Sequence, residues 1–267
     1  MCIPMENQAL FETQEKIIRK VTASGNGAHI FAPKEWLDEE VMVVRISRLD
    51  IKKEILRALE PHMENIVSVI LFGSYARGEQ NENSDVDVLV VSNKPFKVQK
   101  KGFDIIVIEK NKLERAIKIN PILIYSAIKE GTPLVNSMFF NELRKKKINF
   151  SSFREYIKST EDSLKSSIGI LELDDLEDKN IASNSAVYSL FLRLRGIFIV
   201  DSLIKKIPYS NKLFKGWLKK KIPELDYEDF YLVYIAIRDN KASSVRINLK
   251  IARLLASLLK KEIKKIS

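Results

Sequence analysis

The alternation of apolar and polar positions in the middle of the chain predicts a small β-sheet with helices packed around it. Three apolar runs of strand length, bounded by polar residues or glycine, are typical of buried strands: residues 66–72, 86–91 and 103–108. Apolar side chains at helical spacing predict a helix within residues 49–63, before the first of these strands. Helical segments also begin at Leu113 and at Ile122, with a break at residues 131–133.

From Phe153 onward, apolar residues recur every three to four positions and predict a bundle of helices. Residues 186–204 resemble a membrane span in apolar content, but Arg193, Arg195 and Asp201 lie within them. Because charges are costly in a bilayer, we expect this segment to be the central helix of the bundle.

The last helix has a basic outer face, since residues 241–267 carry eight Lys or Arg and one acid. Such a face suits a helix C-terminus and could also contact a phosphate backbone.

The start of the chain carries a different, β-rich pattern. Residues 25–27, Gly-Asn-Gly, are a strong turn signal, and residues 28–32 alternate in strand fashion after it. A single helical turn at residues 34–37 and a further β-rich run at 41–46 follow. This pattern is too short to build a stable core by itself.

These patterns predict an α+β protein with three parts. We expect a β-rich segment at residues 1–46, a domain with a mixed sheet at 47–147 and an all-helical domain at 148–267. The basic run at residues 144–147 marks the linker between the last two. A length of 267 residues with 45% hydrophobic and 30% charged residues is ample for more than one globular core.

The net charge and the cysteine content indicate which partners and which cellular compartment to expect. The formal net charge of +10 favours anionic partners such as nucleotides or nucleic acid. The single cysteine, Cys2, excludes an intramolecular disulfide, and the N-terminus lacks a signal-peptide pattern, so we expect a cytoplasmic protein with no membrane partner. Between the second and third strands we expect a hairpin with solvated lysines: Lys94, Lys97, Lys100 and Lys101.

The strongest chemical signal lies at the end of the first strand. Gly73-Ser74 is followed, after ten residues, by Asp85-Val86-Asp87. The two carboxylates point to one face of a strand, where they repel each other unless a cation lies between them. Glycine lets backbone N–H groups approach a phosphate closely, and the serine hydroxyl adds a donor. A phosphate-binding turn beside a cation-binding carboxylate pair suggests nucleotidyl transfer.

This segment resembles the minimal nucleotidyltransferases of the DNA polymerase beta superfamily. The resemblance implies that Gly73 and Ser74 bind the triphosphate of ATP or another nucleoside triphosphate, and that Asp85 and Asp87 hold two Mg²⁺ ions. It also implies a third carboxylate on a neighbouring strand. Asp104 supplies it, as a lone charge in the apolar run 103–108. Arg77, shortly after the turn, is a candidate for neutralising phosphate charge, with a surface role as the alternative.

Two further resemblances concern the flanking parts. The helical half is similar to HEPN domains, the usual partners of minimal nucleotidyltransferases, and to the helical domain of aminoglycoside nucleotidyltransferases. Residues 21–44 resemble the swapped-hairpin domain of AbrB- and MazE-type regulators, which implies a homodimer that could bind DNA. Active HEPN ribonucleases need an arginine–histidine motif. The chain's histidines, His29 and His62, both precede the helical half, so we expect no such ribonuclease activity.

The sequence therefore predicts a metal-dependent nucleotidyltransferase whose catalytic residues are Asp85, Asp87 and Asp104. The resemblances to components of toxin–antitoxin systems favour a protein hydroxyl as acceptor and ATP as donor. Transfer to an aminoglycoside or to an RNA end is the alternative within the enzyme class. The alternative outside it is a DNA-binding regulator that uses the transferase fold as a nucleotide sensor.

Overall fold

The computed structural model describes residues 17, 19, 21–43, 50–80, 84–177 and 180–266. The chain forms two compact units, Met1–Leu49 and Asp50–Ser267. In the first unit, β1 (Thr22–Ser24) pairs antiparallel with β2 (Gly27–His29) across a Gly-Asn turn, and a 3₁₀ turn follows at Lys34–Trp36. Of the β-rich run predicted at 41–46, residues 41–43 are irregular and residues 44–46 lie outside the described residues.

The second unit begins with a helix and a four-stranded sheet, as the sequence predicts. Asp50 caps α1 (Ile51–Leu59) by accepting a hydrogen bond from the Lys53 N–H, and a 3₁₀ segment, Glu60–Asn65, continues it. The sheet contains β3 (Ile66–Leu71), β4 (Val86–Ser92), β5 (Phe103–Glu109) and β6 (Thr132–Val135), in the order β5-β4-β3-β6. Strands β4 and β5 are parallel, whereas β3 runs antiparallel to both β4 and β6.

One local prediction in this sheet is incomplete and another is wrong. The break between helices predicted at residues 131–133 is present, but Thr132–Val135 also form the edge strand β6, which tolerates Pro133 because the missing N–H would face outward. The connection between β4 and β5 is not a hairpin, because the two strands are parallel. Within it, Lys100 is bound rather than solvated: its Nζ lies 2.5 Å from Oε2 of Glu54 on α1.

Helices pack on both faces of the sheet and continue from one face into a bundle. Around the sheet lie α2 (Gly73–Arg77), α3 (Leu113–Ile119), α4 (Pro121–Glu130) and α5 (Ser137–Arg144). The bundle contains α6 (Arg154–Leu176), α7 (Asn184–Lys205), α8 (Asn211–Lys221), α9 (Tyr227–Arg238) and α10 (Leu249–Ile266), and a short β7 (Ile181–Ala182) pairs with β8 (Ile247–Asn248). Helix α7 contains the expected central segment, with Leu190, Phe191 and Leu194 almost fully buried.

Because side chains alternate between the two faces along each strand, the buried apolar residues form two cores, one on each face of the sheet. One face of the sheet, including Val69, Val86 and Val88, packs against Ile55 and Leu59 of α1. The opposite face joins a larger core that runs through α3 and α4 into the bundle without a break. The side chains of every second residue in β4 and β5 also lie on that face. The polar side chains among them therefore point toward the helices.

The α+β architecture is thus confirmed, while the division at residue 147 stays a prediction. None of the described helices is both long enough and apolar enough to cross a membrane.

Candidate active site

Three strand ends meet at one edge of the sheet and bring the predicted site residues together. Because β3 is antiparallel to β4 and β5, its C-terminal end lies beside their N-terminal ends. The backbone N–H of Phe72, just past β3, donates to the carbonyl oxygen of Asp87 at 3.0 Å. This bond fixes the turn at Gly73 against the second residue of β4.

Gly73 lies in direct contact with the Asp87 carboxylate. Its φ is +70°, and a Cβ built on it would lie 1.8 Å from Oδ2 of Asp87. Any other residue would collide with the carboxylate in a backbone conformation that L-residues rarely adopt. Gly73 and Ser74 open α2, and the side chain of the preceding residue, Phe72, does not cap this helix end.

Two of the three aspartates lie on adjacent positions of one sheet face, and the third directly precedes β4. Asp87 pairs in register with Asp104 across the parallel strands β4 and β5, and Asp85 precedes Asp87 by two residues. Asp85 and Asp104 are exposed, whereas Asp87 is partly buried. Burial, reinforced by the charges of Asp104 and Asp85, raises the pKa of Asp87 to about 6, although Arg77 opposes the shift. The site therefore holds more negative charge than its surroundings stabilise.

Carboxylate oxygens are ligands that Mg²⁺ prefers, so the donor chemistry of these three residues fits a divalent cation. Within the described part of the chain, however, no three or more His, Cys, Asp or Glu side chains are gathered into a ready-made metal site.

Arg77 lies near Asp87, and its guanidinium group already binds two other carboxylates. Its guanidinium donates to Oε2 of Glu79 at 2.9 Å and to Oε2 of Glu130, at the end of α4, at 2.8 Å. It also lies over the ring of Tyr209, 5.2 Å from the centroid. Arg77 and Glu130 are 15% and 12% exposed, so this pair is shielded from solvent. Arg77 consequently ties the turn to α4 and to the bundle.

Arg195, in the middle of α7, is a site residue that the sequence interpretation missed. It donates to the hydroxyl of Tyr209 at 2.8 Å, to the hydroxyl of Tyr234 at 3.4 Å and to Oδ1 of Asn211 at 3.3 Å. Its charge works together with that of Arg77 to favour ionised Asp87. A charged residue within the apolar run 186–204 is the signal that the sequence offers for this role, and the same charge argues against a membrane span.

Arg195 is bound by neutral groups alone. Within the described residues it has no carboxylate within 4.0 Å, the ion-pair distance, whereas Arg77 has two. A partly buried guanidinium of this kind, close to a cluster of aspartates, leaves positive charge available to an anionic ligand.

A comparison with protein families finds the nucleotidyltransferase domain over residues 49–168. Among curated proteins, one from Methanocaldococcus jannaschii, provisionally named a protein adenylyltransferase, is 38% identical over 80 residues, which span 30% of this chain and 78% of the relative. A second protein from that organism, with the same provisional name, is 35% identical over 107 residues, or 40% of this chain and 87% of the relative.

A solved structure of the spectinomycin adenyltransferase from Enterococcus faecialis, with ATP and spectinomycin, aligns with 79% of this chain and 97% of that protein, at a TM-score of 0.44 and 15% identity. The curated relatives are matched over most of their length at 35% identity or more. The sheet edge with its glycine turn and aspartates lies inside the matched region. The chain therefore belongs to the nucleotidyltransferase family.

Proposed function

We propose that this nucleotidyltransferase transfers AMP from ATP to a hydroxyl group of a protein, with release of pyrophosphate. The contact between Gly73 and the Asp87 carboxylate carries this proposal, because it joins a phosphate-binding turn and a carboxylate cluster in one site. In the transfer, the acceptor oxygen bonds to the α-phosphorus, the bond from that phosphorus to the bridging oxygen breaks, and the hydroxyl proton leaves to water.

The phosphates would bind at the turn and beside the bundle. The backbone N–H groups at the start of α2 and the Ser74 hydroxyl would be donors for the β- and γ-phosphates. Arg195 would approach the triphosphate from the bundle and offset its charge. Arg77 supports the site in this proposal by holding the turn in position, and a direct contact with phosphate stays a prediction.

The carboxylates would hold Mg²⁺. This ion is usually bound by one or two protein carboxylates together with substrate phosphates, and Asp85, Asp87 and Asp104 offer such carboxylates. The raised pKa of Asp87 supports this role, since a cation would relieve the repulsion among the three charges. Bound Mg²⁺ would supply electrostatic stabilisation of the charge that develops on the phosphoryl and leaving oxygens. Asp104, which is exposed on β5, would act nearest the incoming hydroxyl in this proposal.

A protein is the proposed acceptor because both relatives carry the name of protein adenylyltransferases. That support is by analogy, since a fold does not determine its substrate.

The experiment is incubation of the purified chain with each α-labelled nucleoside triphosphate, Mg²⁺ and a cell extract. We expect label from ATP on a protein band, together with pyrophosphate release, and neither with the Asp87→Asn variant. Label on RNA or on a small molecule would overturn the protein acceptor. Absence of pyrophosphate release with all four nucleotides would overturn nucleotidyl transfer by this site.

A further inference from the structure

Two lysine-rich helix ends that are distant in sequence come together in the bundle. Helix α8 ends in three consecutive lysines, and the last turns of α10 carry four more. Both ends meet at Glu262 of α10: Lys221 Nζ lies 3.9 Å from its Oε1, and Lys265 Nζ lies 3.2 Å from its Oε2. We call the seven residues the lysine surface: Lys219, Lys220, Lys221, Lys260, Lys261, Lys264 and Lys265.

The lysine surface carries a large excess of positive charge. All seven lysines are exposed, whereas the Glu262 side chain is only 7% exposed and lies beneath them. Lys221 and Lys265 share this one carboxylate. The other five make no ion pair within 4.0 Å to any residue that the structure describes. The acid closest in the chain to the end of α8 is Glu224, in the turn that follows.

Helix stability explains only part of this arrangement. Lysines in a last turn interact favourably with the helix dipole, by about 0.3–1 kcal/mol each, and the effect fades beyond that turn. It does not require two such ends to meet, and like charges that meet repel each other. A partner with dense negative charge would convert this repulsion into attraction.

We propose that the lysine surface binds the phosphate backbone of a double-stranded nucleic acid. Lysine ammonium groups bind phosphates as point charges and need no base contact. The two helix ends, residues 219–221 and 260–265, expose no large apolar side chain. They therefore lack the aromatic anchors of a protein interface, the stacking platform of a single-strand binder and the apolar face of a membrane-bound helix. This inference is independent of the proposed nucleotidyl transfer.

The test uses the full chain and a matched pair of fourfold variants. In the surface variant, four unpaired lysines become glutamine: Lys219, Lys220, Lys261 and Lys264. In the control variant, four exposed lysines elsewhere in the chain become glutamine: Lys52, Lys97, Lys118 and Lys158. Both variants lower the net charge equally. Fluorescence anisotropy then measures binding to DNA and RNA duplexes of about 20 base pairs over a salt series, with melting curves as a check of folding.

We expect the surface variant to lose at least about 10-fold in affinity at ~0.1 M salt and to lower the salt slope by about 3, while the control variant loses far less. Arginine at the four surface positions should retain binding. Equal losses in the surface and control variants, or binding that the surface variant keeps, would overturn the proposal. Polyglutamate that binds as tightly and with the same dependence on these lysines would overturn the nucleic acid as partner and indicate an acidic protein.

Discussion

At the scale of single residues, the site is shaped by one glycine and three carboxylates of unequal environment. Gly73 is required because the Asp87 carboxylate occupies the space that any side chain at this position would take. Asp87 is partly buried between the exposed Asp85 and Asp104, and its pKa is raised to about 6. The proposed chemistry needs Asp87 in its ionised form, and ionisation of this carboxyl group lowers the stability of the fold.

The first prediction concerns this conflict between function and stability. The pKa of Asp87 is about 6 when folded and close to 3.8 when unfolded, so the folded state binds the proton more tightly. Stability should fall as pH rises from about 4 to about 7, by about 1–3 kcal/mol from this group. Asp87→Asn should remove that loss, raise the melting temperature at pH 7 without metal, and abolish transfer.

Thermal melts at pH 4.5 and pH 7 check this, with Asp162→Asn on α6 as an exposed control that should change neither value. A destabilised Asp87→Asn protein at pH 7 would show that the ionised carboxylate is stabilised and not strained.

A second residue-scale prediction separates nucleotide binding from chemistry. Asp104→Ala should leave Mg·ATP affinity nearly unchanged, because in the proposed site the nucleotide would rely on the turn and on Asp85 and Asp87. Turnover should fall by at least ~10²-fold, the size typical of an interaction made mainly in the transition state. Calorimetry and single-turnover kinetics measure the two quantities, and equal losses in both would contradict the assigned role of Asp104.

At the scale of elements, the site depends on how β3, β4, α2, α4 and α7 are joined. The parallel pairing of β4 with β5 places Asp87 beside Asp104, and the antiparallel β3 brings the Gly-Ser turn to the same edge. Arg77 of α2 then binds Glu130 at the end of α4 and stacks on Tyr209, which in turn accepts from Arg195 of α7. The Gly-Ser turn and the helical bundle are thus linked through shielded polar contacts.

The third prediction tests this link by a double-mutant cycle on Arg77 and Glu130. Arg77→Met and Glu130→Gln should each destabilise the protein, since the first leaves the partly buried Glu130 without its cation and the second removes one of the two carboxylates that bind Arg77. The coupling energy from denaturant unfolding should be about 1–3 kcal/mol. Burial raises the pKa of Glu130 and Arg77 opposes that shift, so Arg77→Met should also make stability fall more steeply above pH 5.

Glu79→Gln is the matched control, because it removes the other carboxylate of Arg77 while the pair with Glu130 stays. A coupling energy near zero would show that Arg77 and Glu130 do not act together, and that the turn is held by the backbone bond to Asp87 instead.

At the scale of the whole molecule, the chain divides into a large unit that contains two hydrophobic cores and a small N-terminal unit. Described residues 21–43 include no buried residue, and Phe31, Leu37 and Val43 are 70%, 73% and 69% exposed. A two-stranded hairpin of this size is marginally stable by itself. Association with a second copy of the segment stays a prediction, in which these exposed apolar side chains would be covered.

The fourth prediction follows from that division. A chain that begins at Asp50 should stay folded and bind Mg·ATP, because residues 50–267 contain both cores and all six predicted site residues. Light scattering should show the full chain as a dimer and the shortened chain with weaker self-association. An unchanged oligomeric state would remove the swapped-hairpin interpretation and, with it, the case for DNA binding by residues 1–46.

The sequence alone determined the strands, the turn and the identity of the charged groups, because local periodicity and glycine chemistry act over a few residues. The 66–72, 86–91 and 103–108 runs became strands, and Gly73 took the positive φ that its place in the turn requires. Tertiary structure decided that β4 and β5 are parallel, that Pro133 lies in an edge strand and that Arg77 is paired with Glu130. It also decided that Arg195 faces the site and that two lysine-rich helix ends meet at Glu262. Strand direction and long-range ion pairs depend on how distant segments pack, and no local pattern in the sequence carries that information.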